Sequence, residues 1–327
     1  METILSRIEA TLQKYGMFSQ GGRLLMACSG GPDSVVLSHV LMKLAPRLGL
    51  RPALLHFDHA LRKGSEKDRE FVRKLAKRFH VPFYSARRGK RSFGKELSPE
   101  EGARKLRYEF FEKVAKRTGI RKIALGHHRD DQAETVLMRL LQGTGPRGLQ
   151  GIRPVLKRNG VTYLRPLIEV GRAEILEFLR RNKAAFRKDP TNHSPRYLRN
   201  RVRHRLLPLL EREYNPRTRE ILIRLAETAS AESAGLDEWV RNRLKNFIRR
   251  RKNGTLWLKR DLFLSLPGPL QFRILDHVLR MMNPLSGLDF KSWLRLEAGL
   301  KSGRYRTSLP RNLDLALTPK ALSVRTQ

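Results

Sequence analysis

From residue 23 to about residue 126, short apolar runs alternate with amphipathic stretches of helical period. This is the pattern of a parallel sheet covered by helices on both faces. Residues 24–28, 53–57, 82–86 and 123–126 read as strands. Residues 34–45, 65–79 and 98–117 read as helices, and another helix follows Gly126. Two helix starts carry capping chemistry. Ser65 has Asp68 three positions on, and Ser98-Pro99-Glu100-Glu101 sets a serine cap and a first-turn proline against a reciprocal Glu101. The expected fold is α/β, a doubly wound, mostly parallel sheet.

After Gly143-Thr144-Gly145-Pro146-Arg147-Gly148 the pattern changes to a loop with short strands through residue 164, then a helix over 172–182. Beyond Pro208 helices are expected over 216–250 and 269–282, with a short β-like tail near 316–324. A linker at 207–215 then separates an α/β domain over 1–210 from a smaller, mainly helical C-terminal domain over 211–327. A chain of 327 residues is long enough to need more than one core.

Composition adds a partner class. With 68 Lys+Arg against 31 Asp+Glu, the formal net charge is +37, far beyond what solubility requires, and a polyanion such as nucleic acid is the natural counterpart. An ion-rich thermophilic surface is the competing explanation. Cys28 is the one cysteine, which excludes an intrachain disulfide and a Cys-based structural zinc site. The start of the chain lacks a signal-peptide pattern, and no apolar run of ~18 residues follows, so a cytoplasmic protein without a membrane span is expected.

The segment Leu24-Leu25-Met26-Ala27-Cys28-Ser29-Gly30-Gly31-Pro32-Asp33-Ser34 runs an apolar strand into a small-residue loop and then a helix. Glycines let backbone N–H groups approach phosphate oxygens, and a helix N-terminus adds positive potential. No Gly-Lys-Ser/Thr ends the loop, so it is not a Walker motif. A plain turn with Asp33 and Ser34 capping the helix has the same letters. Further on, His127, Asp131 and Glu134 are spaced i, i+4 and i+7, so one helix face presents an imidazole and two carboxylates. A metal site and a cap-rich surface helix both fit that spacing.

Ser29-Gly30-Gly31-Pro32-Asp33-Ser34 resembles the PP-loop of ATP-pyrophosphatases, which cleave ATP between the α- and β-phosphates and adenylate a substrate oxygen. The resemblance implies that these six residues bind ATP and that Asp33 helps hold Mg²⁺. It narrows with His127-His128-Arg129-Asp130-Asp131-Gln132-Ala133-Glu134-Thr135, with 143–149, with Arg165-Pro166-Leu167, with Asp189-Pro190-Thr191-Asn192 and with 199–204. In order and spacing these are similar to the tRNA(Ile)-lysidine synthetase family, over roughly residues 20–210. Thr191 departs mildly from that family's pattern and keeps a hydroxyl. The chain stops soon after its C-terminal domain, as expected of the shorter form of the family.

Membership implies ligation of free L-lysine to the wobble cytidine of a CAU-anticodon tRNA(Ile), with ATP and Mg²⁺. Asp33, Arg104, His127 and Asp131 are then the expected catalytic residues. His56, near Asp58, His59 and Arg62, is expected beside ATP. Asp131 and Glu134 are assigned to lysine's ammonium side and Arg201 to its carboxylate. Arg107, Arg147, Arg199, Arg203, Arg249, Arg250 and Arg251 are expected on the tRNA. A homodimer is compatible with this reading. Three rivals remain: a tRNA 2-thiolase, whose chemistry usually needs more than one cysteine; a PP-loop synthetase acting on a small metabolite, which would leave the charge of +37 without a purpose; and a non-catalytic RNA-binding protein, against which Asp33, Asp131 and Glu134 speak.

Overall fold

The computed structural model describes residues 3–18, 21–60, 64–89, 99–187, 197–251, 254–283, 287–288, 290–301, 305–309 and 311–326. Asp189, Thr191, Asn192, Arg62 and Ser98 lie outside the described residues. The chain divides into two compact units, residues 1–144 with 148–226, and residues 145–147 with 227–327. Among the described residues no helix is long and apolar enough to cross a membrane.

The first unit is built on a six-stranded sheet of order β3-β2-β1-β4-β6-β5. Its strands are β1 (Gly22–Ala27), β2 (Leu50–Asp58), β3 (Phe83–Arg87), β4 (Lys122–Ala124), β5 (Val155–Arg158) and β6 (Val161–Leu164). All neighbours pair in parallel except the β5–β6 hairpin at one edge. The doubly wound expectation therefore holds. Side chains alternate across β1, as the pleat demands. Leu24 and Met26 enter one core with α1 (Ile4–Lys14), α2 (Pro32–Leu48) and α3 (Glu66–Arg78). Leu25 enters the opposite core with Tyr108 and Phe111 of α4 (Pro99–Thr118).

α5 (Arg129–Leu141) follows β4, and the single turn α6 (Pro146–Leu149) and then α7 (Arg172–Arg181) come later. α8 (Leu198–Arg201), a π-helical turn (Val202–Leu206) and α9 (Leu207–Glu213) follow in sequence. Residues 207–215 are not a linker. Leu207 is fully buried, and with Val202, Leu222, Ile223 and Ala226 it packs on Ala133, Val136 and Leu137 of α5. This third core carries the first unit through Ala226 rather than ending it near 210. Ser65 stands at the N-cap of α3, but its buried hydroxyl makes no cap bond.

The second unit takes in the later part of α10 (Thr218–Phe247), then α11 (Arg260–Leu264), α12 (Gly268–Met282) and α13 (Phe290–Lys301). It also holds an antiparallel sheet of order β7-β8-β11-β10-β9. The strands are β7 (Ile248–Arg250), β8 (Leu256–Lys259), β9 (Tyr305–Leu309), β10 (Leu313–Leu317) and β11 (Ala321–Thr326). This unit keeps the expected helices and adds α11 and α13, but it also holds more strand than the single β-like tail the sequence pattern implies. β7 and β9 are short and arginine-bearing, and their alternation is too brief to read.

Candidate active site

β1 delivers the chain into the loop that precedes α2, where Gly31 is the N-cap and Pro32 opens the first turn. Ser34 ties the loop together. Its Oγ donates to the Gly31 carbonyl at 3.0 Å and accepts from the Ser29 N–H at 3.1 Å. The Gly31 N–H donates to Ser29 Oγ at 3.3 Å. Gly30 has φ +92°, in the left-handed region, and a Cβ there would meet Phe71 at 3.4 Å and Arg187 at 3.5 Å. Gly126, at the end of the neighbouring strand, approaches so closely that a Cβ would lie 3.2 Å from the Asp33 carbonyl carbon and the Ser34 nitrogen.

A cavity of about 380 Å³ opens on this loop, within the size range of small-molecule sites. Ser29, Gly31, Asp33 and Ser34 line it from the loop, Arg107 and Tyr108 from α4, and His127 from the segment after β4. The fold thus brings these expected residues together at the ends of parallel strands, where doubly wound sheets take their ligands. Arg104 is exposed one turn before Tyr108; its guanidinium lies over the Tyr108 ring at 5.2 Å and donates to the phenol at 3.4 Å.

His56 is not on the lining. It is buried, with Nδ1–H donating to the Cys28 carbonyl at 2.8 Å, and burial pushes its pKa down. His59 lines the cavity instead, three positions further along the chain. Burial, followed by the charge of Arg107, lowers its pKa to about 4. The unfolded chain therefore takes up a proton below pH ~6.5 that folded His59 refuses until about pH 4, so stability falls as pH drops through that window. Urea unfolding of His59→Gln should show a shallower pH dependence there, by up to ~1.4 kcal/mol per pH unit. An unchanged slope would mean that the ring is solvated.

His127 accepts a hydrogen bond at Nδ1 from Arg165 Nε at 3.3 Å. Burial and then Arg165 hold it well below the usual histidine range, so it faces the cavity as a neutral imidazole. His128 is the residue that sequence reasoning missed. It is 1% exposed, and its ring nitrogens lie 3.5 Å from Asp130, 3.6 Å from Asp131 and 3.9 Å from Asp33. Burial works against its charge, but the Asp130, Asp131 and Asp33 carboxylates outweigh that and raise its pKa. Two aspartates two and three positions after His128 in the run 127–131 are the signal that was available; Asp33 comes from the distant loop. Asp33 is also bonded by Arg172 of α7, and burial raises the Asp33 pKa despite both cations.

Asp131 and Glu134 sit on one face of α5 and meet Arg199 and Arg203. Arg199 donates from Nε to Glu134 and from Nη2 to Asp131, both at 2.8 Å. Arg203 donates from Nη2 to both carboxylates at 2.9 Å. Burial would raise the Asp131 pKa, but His128 and the two arginines hold it well below the usual range. Arg199 and Arg203, expected on RNA, are thus an i, i+4 pair turned onto the carboxylates of α5. Arg201, two positions from each, is exposed. Arg147 is likewise held by carboxylates, those of Asp276 and, at 3.3 Å, Asp237. Arg249 and Arg250 are exposed on β7, and Arg251 is exposed just after it.

Asp33 is the loop carboxylate that lines the cavity. A magnesium ion bound chiefly through phosphate oxygens needs only one or two such groups, so Asp33 fits that donor role. Among the described residues no group of three metal-ligating side chains occurs.

The PP-loop domain model, ATP_bind_3, matches residues 2–210. The chain belongs to the PP-loop family. It is similar to proteins named tRNA(Ile)-lysidine synthase. The Geobacter sulfurreducens protein is 37% identical over 84% of this chain and 58% of its own length. Those of Solibacter usitatus and Thermotoga maritima are 39% and 37% identical, over 90% and 76% of this chain and 65% and 60% of their own. The chain therefore spans about three fifths of the relatives it matches. Among solved structures, the U34-tRNA thiolase NcsA of Methanococcus maripaludis superposes with a TM-score of 0.57 at 17% identity. That match covers 69% of this chain and 77% of that one, and it speaks for the fold alone.

Proposed function

We propose that the chain ligates L-lysine to the wobble cytidine of a CAU-anticodon tRNA(Ile), using ATP and Mg²⁺ and releasing AMP and pyrophosphate. The observation that carries this reading is the juxtaposition, in one unit, of a PP-loop cavity with a helix face bearing both signs of charge. The likeness to relatives named lysidine synthases supports it.

In this reading ATP lies with its phosphates on the 29–34 loop, against backbone N–H groups and the start of α2. Mg²⁺, held by Asp33 and the phosphates, would neutralise charge on the departing pyrophosphate. The C2 oxygen of cytosine attacks the α-phosphorus, which turns a poor leaving oxygen into a good one. Neutral His127 lines the place where that adenylate forms and has a lone pair or a proton to offer. The lysine ε-amine then attacks C2 and AMP leaves. Asp131 or Glu134 takes the α-ammonium and Arg199 or Arg203 the carboxylate, by partial exchange of the contacts these four side chains make with one another. Arg104 and Arg107 neutralise phosphate on the α4 side.

AMP release is the test. It should require the tRNA, and pyrophosphate should appear in equal amount; ATP turnover indifferent to tRNA would overturn the reading. Sulfur delivery is less well supported, because Cys28 is buried and burial pushes its thiol pKa up.

A further inference from the structure

The antiparallel sheet of the second unit buries one face and leaves the other open. Leu256 and Leu258 of β8, Leu313 and Leu315 of β10, and Leu322 and Val324 of β11 point into the core of the unit. The residues between them line a cavity of about 640 Å³ on the other face, with Trp257 and Ser323 on its floor and Arg251, Arg306, Asp314 and Arg325 around them. Arg249 lies opposite Trp257 in the β7–β8 register and so shares its face. Asp314 is the carboxylate among these groups, 3.6 Å from Arg306 and 3.4 Å from Arg325. Four arginines around an indole give the chemistry that binds unpaired nucleotides: a flat ring for base stacking and guanidiniums for the flanking phosphates.

We propose that this open face is a stacking platform for an unpaired nucleotide of RNA, with Trp257 under the base and Arg251, Arg306 and Arg325 on the phosphates. A duplex would keep its bases stacked on one another and would use only the arginines. The occupant is assigned on charge, since a chain of net charge +37 calls for a polyanion and the platform adds an aromatic surface to it. The inference rests on the reading of the protein as an enzyme that acts on tRNA.

The test titrates full-length wild type, Trp257→Ala and Trp257→Phe with a labelled single-stranded RNA octamer and with a duplex of the same sequence. Trp257→Ala should weaken octamer binding about tenfold and leave the duplex within about twofold; Trp257→Phe, which keeps a ring, should stay close to wild type on both. Arg306→Gln with Arg325→Gln should weaken both RNAs and flatten the octamer's log–log salt slope by about 0.7 per lost phosphate contact. Unchanged octamer binding by Trp257→Ala overturns the proposal. So do equal losses on octamer and duplex, an equal loss in Trp257→Phe, and competition by polyglutamate as effective as by the octamer, which would mark an acidic protein as the occupant. Wild-type tRNA-dependent AMP formation, measured alongside, keeps the two readings apart. Its absence refutes the ligase, whereas its presence with unchanged octamer binding by Trp257→Ala refutes only the platform.

Discussion

Replacing Asp33 with alanine is expected to lower AMP formation by about 10²–10³-fold, the range seen when one preorganised electrostatic group is removed from a transition state. The carboxylate stands at the start of α2 on the cavity wall, where it is the loop's own oxygen donor for a phosphate-bound cation. Its loss leaves Arg172 and His128 without one shared partner. Both keep other surroundings, since Arg172 is 38% exposed and His128 retains Asp130 and Asp131. Folding should therefore survive, and tRNA affinity should stay within about twofold because phosphate contacts elsewhere position the RNA. AMP formation within tenfold of wild type, with an unchanged melting temperature, would remove Asp33 from the mechanism.

Glu134→Ala is expected to have the largest effect on stability, about 3 kcal/mol, because removing one member of a buried ion cluster strands its partners. Glu134 is 1% exposed and accepts from both Arg199 and Arg203, each of which keeps about a quarter of its side chain in contact with water. That partial access places the effect at the lower end of what fully buried pairs show. In a double-mutant cycle, Glu134→Ala with Arg199→Ala should lose clearly less than the sum of the two singles. Urea unfolding measures all three variants. A change below ~0.5 kcal/mol for the single variant would mean a solvated surface carboxylate. The same geometry alters the expectation for lysine: milder changes such as Glu134→Gln should raise the KM for lysine and lower stability together, because one carboxylate serves both.

The PP-loop and the strands around it were legible because local chemistry dictates them. An apolar run, a left-handed Gly30 and a first-turn Pro32 act within ten residues of one another. Helical spacing likewise put Asp131 and Glu134 on one face of α5, but His127, expected on that face, precedes the helix, whose N-cap is His128, and lines the cavity instead. What spacing could not give was the identity of partners distant in sequence. Arg199 and Arg203 read as RNA-binding because their charge is visible and the carboxylates they meet, 65 to 72 residues earlier, are not. The i, i+4 spacing of the two arginines, with Arg201 on the other side, was the clue that they act together. His59 lines the cavity and His56 is buried in contact with Cys28, because a strand end does not reveal which side chain turns into the sheet. Residues 207–215 looked like a linker, with Pro208 near one end and Asn215-Pro216 at the other. The burial of Leu207 against α5 depends on a core assembled from three separate segments.

The central claim is that the cavity at the 29–34 loop adenylates a tRNA base for attack by lysine. Its most direct test is incubation of the protein with ATP, Mg²⁺, isotopically labelled lysine and tRNA, followed by digestion and mass analysis of the nucleosides. The account predicts a cytidine heavier by one lysine less one water, carrying the label, formed in tRNA that bears a CAU anticodon and absent when ATP is withheld or Asp33→Ala is used. Labelled lysine missing from every nucleoside, or a cytidine or uridine carrying sulfur in its place, would contradict it.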